Sequence, residues 1–218
     1  MKLPVIIVNF KATKGAVGHD AVGLAKKLAR VAKQTRASVA LAVQATDLLA
    51  VVEAVDIPVL VQHVDPVDYG AFTGHTPPAL VKSLGAAGTL LNHSEHRLSA
   101  VALKAAIIKA QQAGLWVCAC AKNPSDAVAV ARLRPNAVAI EPPELIGGKI
   151  SVSVAHPSVL TKTTSRIRSI PVLCGAGVHT TDDVRIARKL GTKGILVASG
   201  VTLAKNPAKA LRDLIKGL

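Results

Sequence analysis

Aromatic residues are nearly absent from this sequence, which has one Trp, one Tyr and two Phe among its 218 residues. A core must therefore be built from Val, Ile, Leu and Ala, which suits a parallel sheet that is buried on both faces. The shortage also argues against a protein that grips single-stranded nucleic acid, because such proteins stack bases on aromatic side chains. No apolar run approaches the ~20 residues that a membrane-spanning helix needs.

Cysteine is also scarce, with only Cys118, Cys120 and Cys174. An odd number of cysteines, in a chain whose first residues lead straight into a strand-like run, predicts no disulfide framework and a cytoplasmic location. No second cysteine pair completes a zinc site, and no Gly-x-Gly-x-x-Gly turn indicates a dinucleotide. We therefore expect neither a metal nor an organic cofactor, and we interpret the three cysteines as small buried apolar residues.

Acidic residues are outnumbered, with 13 Asp and Glu against 27 Lys and Arg, so the net charge is +14. Such an excess can indicate a nucleic-acid partner, a membrane surface or an anionic substrate. The cations are scattered along the sequence, mostly within or near the ends of predicted helices, where they interact well with the helix dipole. We interpret them as solvated helix faces that also attract a phosphate dianion. On this interpretation we expect neither a nucleic-acid nor a membrane partner.

Strand-like runs rich in Val, Ile and Leu alternate with helical segments throughout the chain. The predicted strands cover residues 5–9, 39–43, 58–62, 89–92, 115–120, 137–141, 171–174 and 194–198. The predicted helices cover residues 19–34, 46–54, 77–84, 98–113, 125–133, 157–167, 181–189 and 207–215. This alternation predicts an α/β protein with a parallel sheet, because parallel strands need crossover connections. Eight strands favour a closed (β/α)8 barrel over an open doubly wound sheet, in one domain spanning residues 1–218.

Polar residues end several predicted strands, and functional groups of such barrels project from the carboxyl ends of the strands. Strand one ends in Asn9-Phe10-Lys11, and strand four runs into Asn-His-Ser-Glu-His-Arg at residues 92–97. Strand six ends in Glu141, followed by Pro-Pro-Glu-Leu-Ile-Gly. Glu141 leaves an apolar run beside two prolines, where burial raises the proton affinity of a carboxylate, so it is the candidate general base.

These three segments resemble the signature segments of the triosephosphate isomerase family, in the same order and spacing. The Pro-Pro-Glu-Leu form, the Cys-Gly-Ala-Gly turn at residues 174–177 and the short chain are similar to its archaeal branch. The resemblance extends from Pro4 to about Pro207. It implies a TIM barrel that interconverts D-glyceraldehyde 3-phosphate and dihydroxyacetone phosphate through an enediolate, in glycolysis and gluconeogenesis. It also implies a homotetramer or a homodimer.

The resemblance assigns roles to particular residues. Glu141 becomes the base and His93 the electrophile. This family is the reference example of a catalytic histidine that a helix N-terminus keeps neutral. Lys11 supplies a positive charge toward the substrate, Asn9 orients the substrate oxygens, and Glu95 stands behind His93. Phosphate binding is assigned to the backbone of Ile146, Gly147, Gly177, Ala198 and Ser199, and residues 142–149 resemble the family's closing lid.

Two other functions fit parts of the sequence. Another phosphate-binding barrel, such as a phosphosugar epimerase or a synthase of amino-acid biosynthesis, accounts for the glycine-rich ends of strands seven and eight. It does not account for the polar residues that end strands one, four and six. A basic binding protein on a barrel scaffold, with nucleic acid as its partner, predicts binding that weakens steeply with salt.

Overall fold

Eight parallel strands form a closed barrel in the computed structural model, which describes residues 1–142, 145 and 151–218. Each strand pairs with the next along the chain, and the last pairs with the first. The strands are β1 (Val5–Asn9), β2 (Ser38–Val43), β3 (Val59–Val61), β4 (Gly88–Leu91), β5 (Trp116–Ala121), β6 (Ala137–Ile140), β7 (Val172–Cys174) and β8 (Gly194–Val197). The predicted (β/α)8 barrel is confirmed.

Helices connect the strands around the outside of the barrel. They are α1 (His19–Thr35), α2 (Leu48–Ala54), α3 (Pro78–Ser83), α4 (Ala100–Gln112), α5 (Pro124–Arg132), α6 (Val152–Ala155), α7 (Pro157–Arg166), α8 (Thr181–Lys189), α9 (Ser199–Thr202) and α10 (Pro207–Ile215). A 3₁₀ turn, Ala45–Asp47, precedes α2. The eight predicted helices are present. The sequence did not predict α6 and α9, because four residues are too few to show a helical period.

The hydrophobic core has two layers, because the side chains of each strand point alternately into the barrel interior and toward the surrounding helices. The interior is filled by small and aliphatic residues, such as Ile7, Ala40, Leu60 and Cys118. The alternate strand residues pack with the helices in a larger outer layer. All three cysteines are buried and free, as predicted, with Cys118 and Cys120 inside the barrel and Cys174 in the outer layer.

Local sequence signals fix the helix ends. The Thr180 hydroxyl accepts from the Asp183 amide at 3.1 Å, and the Asp183 carboxylate accepts from the Thr180 amide at 2.8 Å, which forms a capping box at the start of α8. Gly114 and Gly191 follow α4 and α8 with φ of 77° and 95°, a left-handed conformation that favours glycine. No described helix has the length and apolar character needed to cross a bilayer.

Candidate active site

A pocket opens where the strands end, at the carboxyl end of the barrel. Its walls come from the last residues of β1 and β8 and from the residues that follow β1, β4, β6, β7 and β8. They are Asn9, Lys11, His93, Glu141, residues 175–179 and residues 196–200. The barrel thus brings together the side chains that the sequence singled out at the ends of strands one, four and six. The same pocket includes the glycine-rich loops after β7 and β8.

Glu141 lies at the floor of this pocket, where its carboxylate contacts the His93 ring. Glu141 Oε1 is 3.3 Å from His93 Nε2, and Oε2 accepts a hydrogen bond of 3.4 Å from the Ser94 amide. The residue is only 1% exposed. Burial raises the pKa of Glu141 to about 7, although hydrogen bonds from the Cys120 thiol and the Ser94 amide oppose the rise. A carboxyl with this pKa can accept and release a proton near neutral pH.

His93 is held as a neutral imidazole with a defined tautomer. Burial lowers its pKa to about 4, against the opposing charge of Glu95. The Glu95 amide donates to His93 Nδ1 at 3.2 Å, so Nδ1 is an acceptor and Nε2 carries the proton. That N–H is directed at Glu141. A neutral imidazole in this position donates a hydrogen bond from Nε2 while it carries no charge of its own.

The predicted helix N-terminus beside His93 is wrong. The amide that holds Nδ1 belongs to a turn, which the His96 amide closes on the His93 carbonyl at 2.8 Å. The helix α4 begins later, at Ala100, because Ser99 caps it by accepting from the Ala102 amide at 3.1 Å. Burial, rather than a helix dipole, therefore keeps His93 neutral, and one turn amide fixes its tautomer.

Lys11 carries the positive charge of the site on a strained backbone. Its φ is 52°, in the left-handed region that costs a residue with a side chain of order 1 kcal/mol. Asn9 Oδ1 accepts from the Lys11 amide at 3.0 Å, and Gln62 Nε2 donates to the Lys11 carbonyl at 3.1 Å. These bonds fix the Lys11 backbone. The Lys11 ammonium lies 2.7 Å from Glu95 Oε1, and Lys11 lines the same pocket as Glu141.

Gln62 is a site residue that sequence reasoning missed. Gln62 is the last residue of the third predicted strand and was not among the candidate site residues, yet its amide fixes the backbone of Lys11 and also donates to the Ala42 carbonyl at 3.2 Å. A polar side chain that directly follows a buried apolar strand was the available signal. Cys120 was also interpreted only as core, although its thiol contacts Glu141.

The loops after β7 and β8 form the other wall of the pocket. A Cβ on Gly175 would lie 2.7 Å from Glu141 Cγ and 2.9 Å from the Ile140 carbonyl oxygen, so only glycine fits beside the carboxylate. The amides of Ser199 and Gly200 open α9 and have no acceptor within that helix. Gly177, Ala198 and Ser199, to which the resemblance assigned phosphate binding, line the same pocket.

A buried polar network lies directly behind the β7 loop and was not predicted. The Ser151 hydroxyl donates to Asp183 Oδ1 at 2.8 Å, and the amides of His179 and Thr180 donate to Asp183 Oδ2 at 2.9 and 2.8 Å. Ser153 joins it by donating to the Asp183 carbonyl at 3.0 Å. The network anchors the loop that forms one wall of the pocket.

Some of the predicted site lies beyond the described residues. Ile146 and Gly147 are outside them, as is most of the predicted lid at 142–149, of which only Pro142 and Leu145 are described. Among the residues that the structure does describe, no group of three or more His, Cys, Asp or Glu could hold a metal ion.

The family model for triosephosphate isomerase matches residues 4–217. The chain belongs to the triosephosphate isomerase family. It is 44% identical over 216 residues to a triosephosphate isomerase of Methanobacterium bryantii, which covers 97% of this chain and 96% of the relative. It is 43% identical to that of Saccharolobus solfataricus over 99% of this chain and 96% of the relative. It is 40% identical to the triosephosphate isomerase of Methanocaldococcus jannaschii over 97% of this chain and 98% of the relative.

Family membership confirms the resemblance that the strand-end residues indicated. The other phosphate-binding barrels and the basic binding protein have no such match here to support them as the main activity. The geometry agrees with it, because one pocket holds a carboxyl with a raised pKa and an imidazole with a lowered pKa, and this family uses a glutamate base beside a neutral histidine.

Proposed function

We propose that this protein is a triosephosphate isomerase that interconverts D-glyceraldehyde 3-phosphate and dihydroxyacetone phosphate in glycolysis and gluconeogenesis. The observation that carries the proposal is the contact between Glu141 and His93, 3.3 Å apart and with pKa values moved in opposite directions from their ordinary ranges. Two titratable groups whose environments separate their pKa values in this way identify the base and the proton donor.

The reaction moves one proton between adjacent carbons. Glu141 takes the proton from the carbon next to the substrate carbonyl, and the electron pair of that C–H bond forms the enediolate. The His93 Nε2–H donates to the oxygen on which charge develops, and the Lys11 ammonium stabilises the same charge. Glu141 then returns the proton to the neighbouring carbon, and His93 Nε2 gives its proton to one substrate oxygen and takes the hydroxyl proton from the other. These two transfers complete the exchange, so no oxidant and no cofactor is consumed.

Substrate binding falls to the other wall of the pocket. The backbone amides at Gly177, Ala198 and Ser199 bind the phosphate. Ile146 and Gly147, in the segment that resembles a lid, also bind it. Free amides and glycine are suited to this task because they let the main chain approach an anion closely. Asn9 serves the substrate oxygens, and Glu95 sets the positions of both Lys11 and His93.

The test is the rate of glyceraldehyde 3-phosphate isomerisation by the purified protein, with Glu141→Gln beside it. We expect the substitution to lower kcat by about 10³-fold or more, with little change in KM, because the base acts on the transition state. Glu53→Gln is the matched control, since Glu53 is exposed on α2 and away from the pocket. A parent protein that is folded but inactive contradicts the proposal, and so does an active Glu141→Gln variant.

We also propose a cytoplasmic homotetramer, with a homodimer as the alternative, built from one domain over residues 1–218. Exposed apolar side chains support an assembly: Val101 is 81% exposed and Ile108 43% exposed, on one face of α4, and Tyr69 is 67% exposed in the loop before α3. Light scattering gives the subunit number. A monomeric parent contradicts this part, and Val101→Glu should reduce the subunit number if α4 is an interface.

A further inference from the structure

The barrel gathers cations at the end opposite the active site. Each main helix runs back from the carboxyl end of one strand to the amino end of the next, so its last turn lies at the amino end of the barrel. The last turns of these helices are basic, except that of α2, which contains no cation. They contain Lys33 of α1, Lys82 of α3, Lys109 of α4, Arg132 of α5, Arg166 of α7, Arg188 and Lys189 of α8, and Arg212 of α10. Residues scattered in sequence therefore share one end of the molecule.

Two adjoining grooves between α5, α7 and the start of β7 concentrate this charge. One, of about 760 Å³, is lined by Arg132, Arg134 and Arg166 over an apolar floor. The other, of about 690 Å³, is lined by Arg168 and Lys193. They share Ile167, Ser169 and Ile170, so they form one surface. We call the five cations Arg132, Arg134, Arg166, Arg168 and Lys193 the basic face.

The charges of the basic face are not neutralised within the described part of the chain. All five side chains are exposed, and none forms an ion pair or a side-chain hydrogen bond with a described residue. No Asp or Glu lines either groove. A cluster of like charges opposes its own formation, so a surface that keeps them together without counter-charges is complementary to an external polyanion.

We propose that the basic face binds duplex nucleic acid through its phosphate backbone. Four of the five cations are arginines, whose planar guanidinium matches phosphate oxygens in pairs. The cations that line the grooves are exposed, which fits an extended backbone better than an enclosed small anion. The net charge of +14 adds a long-range attraction for a polyanion.

The two sequence arguments against a nucleic-acid partner do not oppose this binding mode. The first was that the cations are scattered, and the fold gathers them. The second was that aromatic residues are nearly absent, which excludes base stacking but leaves backbone contacts intact. Binding is therefore independent of base sequence and leaves the active-site pocket, at the other end of the barrel, open to substrate.

The test is fluorescence anisotropy of a labelled DNA duplex of about 20 base pairs, titrated with the intact protein over a range of salt concentrations. If each cation of the basic face neutralises one phosphate, log K falls with log salt at a slope of about −4.5. The association constant then falls about 500-fold between about 50 and 200 mM salt.

Matched variants separate a site from general charge. The basic-face variant carries Arg132→Gln, Arg166→Gln, Arg168→Gln and Lys193→Gln. The control variant carries Lys26→Gln, Lys27→Gln, Lys104→Gln and Lys122→Gln, which remove the same charge from exposed positions outside both grooves. Glutamine keeps a good helix-forming residue at the helical positions.

We expect the basic-face variant to lose at least tenfold in affinity and its salt slope to fall to about −1, while the control keeps most of both. Equal losses in the two variants, or no binding by the parent at about 50 mM salt, overturn the proposal. Tighter binding to anionic phospholipid vesicles than to duplex also overturns it, in favour of a membrane surface. The melting temperature and isomerase activity of both variants show whether each is folded. Because the basic face lies away from the active site, loss of duplex binding with activity retained is distinguishable from failure of the isomerase function.

Discussion

Replacing Glu141 by Gln should make the protein more stable and less active, with the gain in stability confined to neutral and alkaline pH. Glu141 is 1% exposed, and its pKa is raised from 4.5 to about 7, mainly by burial. Between these two values the native protein binds a proton that the unfolded chain has released. The free energy of unfolding therefore falls as the pH rises through this window, because stability falls wherever the native state holds more protons.

The magnitude follows from the two pKa values. A shift from 4.5 to about 7 lowers the free energy of unfolding by about 3 kcal/mol at pH 8, and by under about 1 kcal/mol at pH 5. A neutral glutamine of similar shape has no such loss. The stabilisation of Glu141→Gln over the parent should therefore be about 2.5 kcal/mol larger at pH 8 than at pH 5.

The assay is chemical denaturation of both proteins at the two pH values and at one protein concentration, because assembly makes stability depend on concentration. The lowered pKa of His93 makes the free energy of unfolding fall as the pH falls, which is the opposite direction. Because His93 is present in both proteins, this contribution largely cancels in the comparison. Glu53→Gln should show no such pH-dependent difference. A difference that is the same at both pH values refutes the assignment of a buried, raised carboxyl.

Three further predictions concern the site. The kcat/KM of the parent should fall tenfold per pH unit below about pH 7, because protonation removes the base Glu141; a profile that stays flat to pH 5 contradicts this. Gly175→Ala should lower kcat at least about tenfold, since the new Cβ at 2.7 Å displaces the Glu141 side chain; unchanged kcat would mean that the carboxylate position is unimportant. Asp183→Ala should cost about 2 kcal/mol in denaturation, because it leaves the amides of His179 and Thr180 and the Ser151 hydroxyl without their acceptor; Asp182→Ala, on the exposed side of α8, is its control.

The sequence by itself determined the barrel and indicated most of the candidate site. Strand and helix signals are local, since a strand buried on both faces must be a short apolar run and a helix must show its own period. All eight strands and the eight longer helical segments were readable for this reason. Polar residues that end such runs mark the active end of any barrel, so Asn9, Lys11, His93 and Glu141 were found before their contacts were known.

Only the tertiary structure decided how these residues act on one another. That Gln62 fixes a left-handed Lys11 and that the Cys120 thiol contacts Glu141 both depend on contacts between different strands. The charge of the protein shows the same division. Its amount was readable from the sequence, but its concentration on one face was not, because that follows from the antiparallel run of helices against a closed parallel sheet.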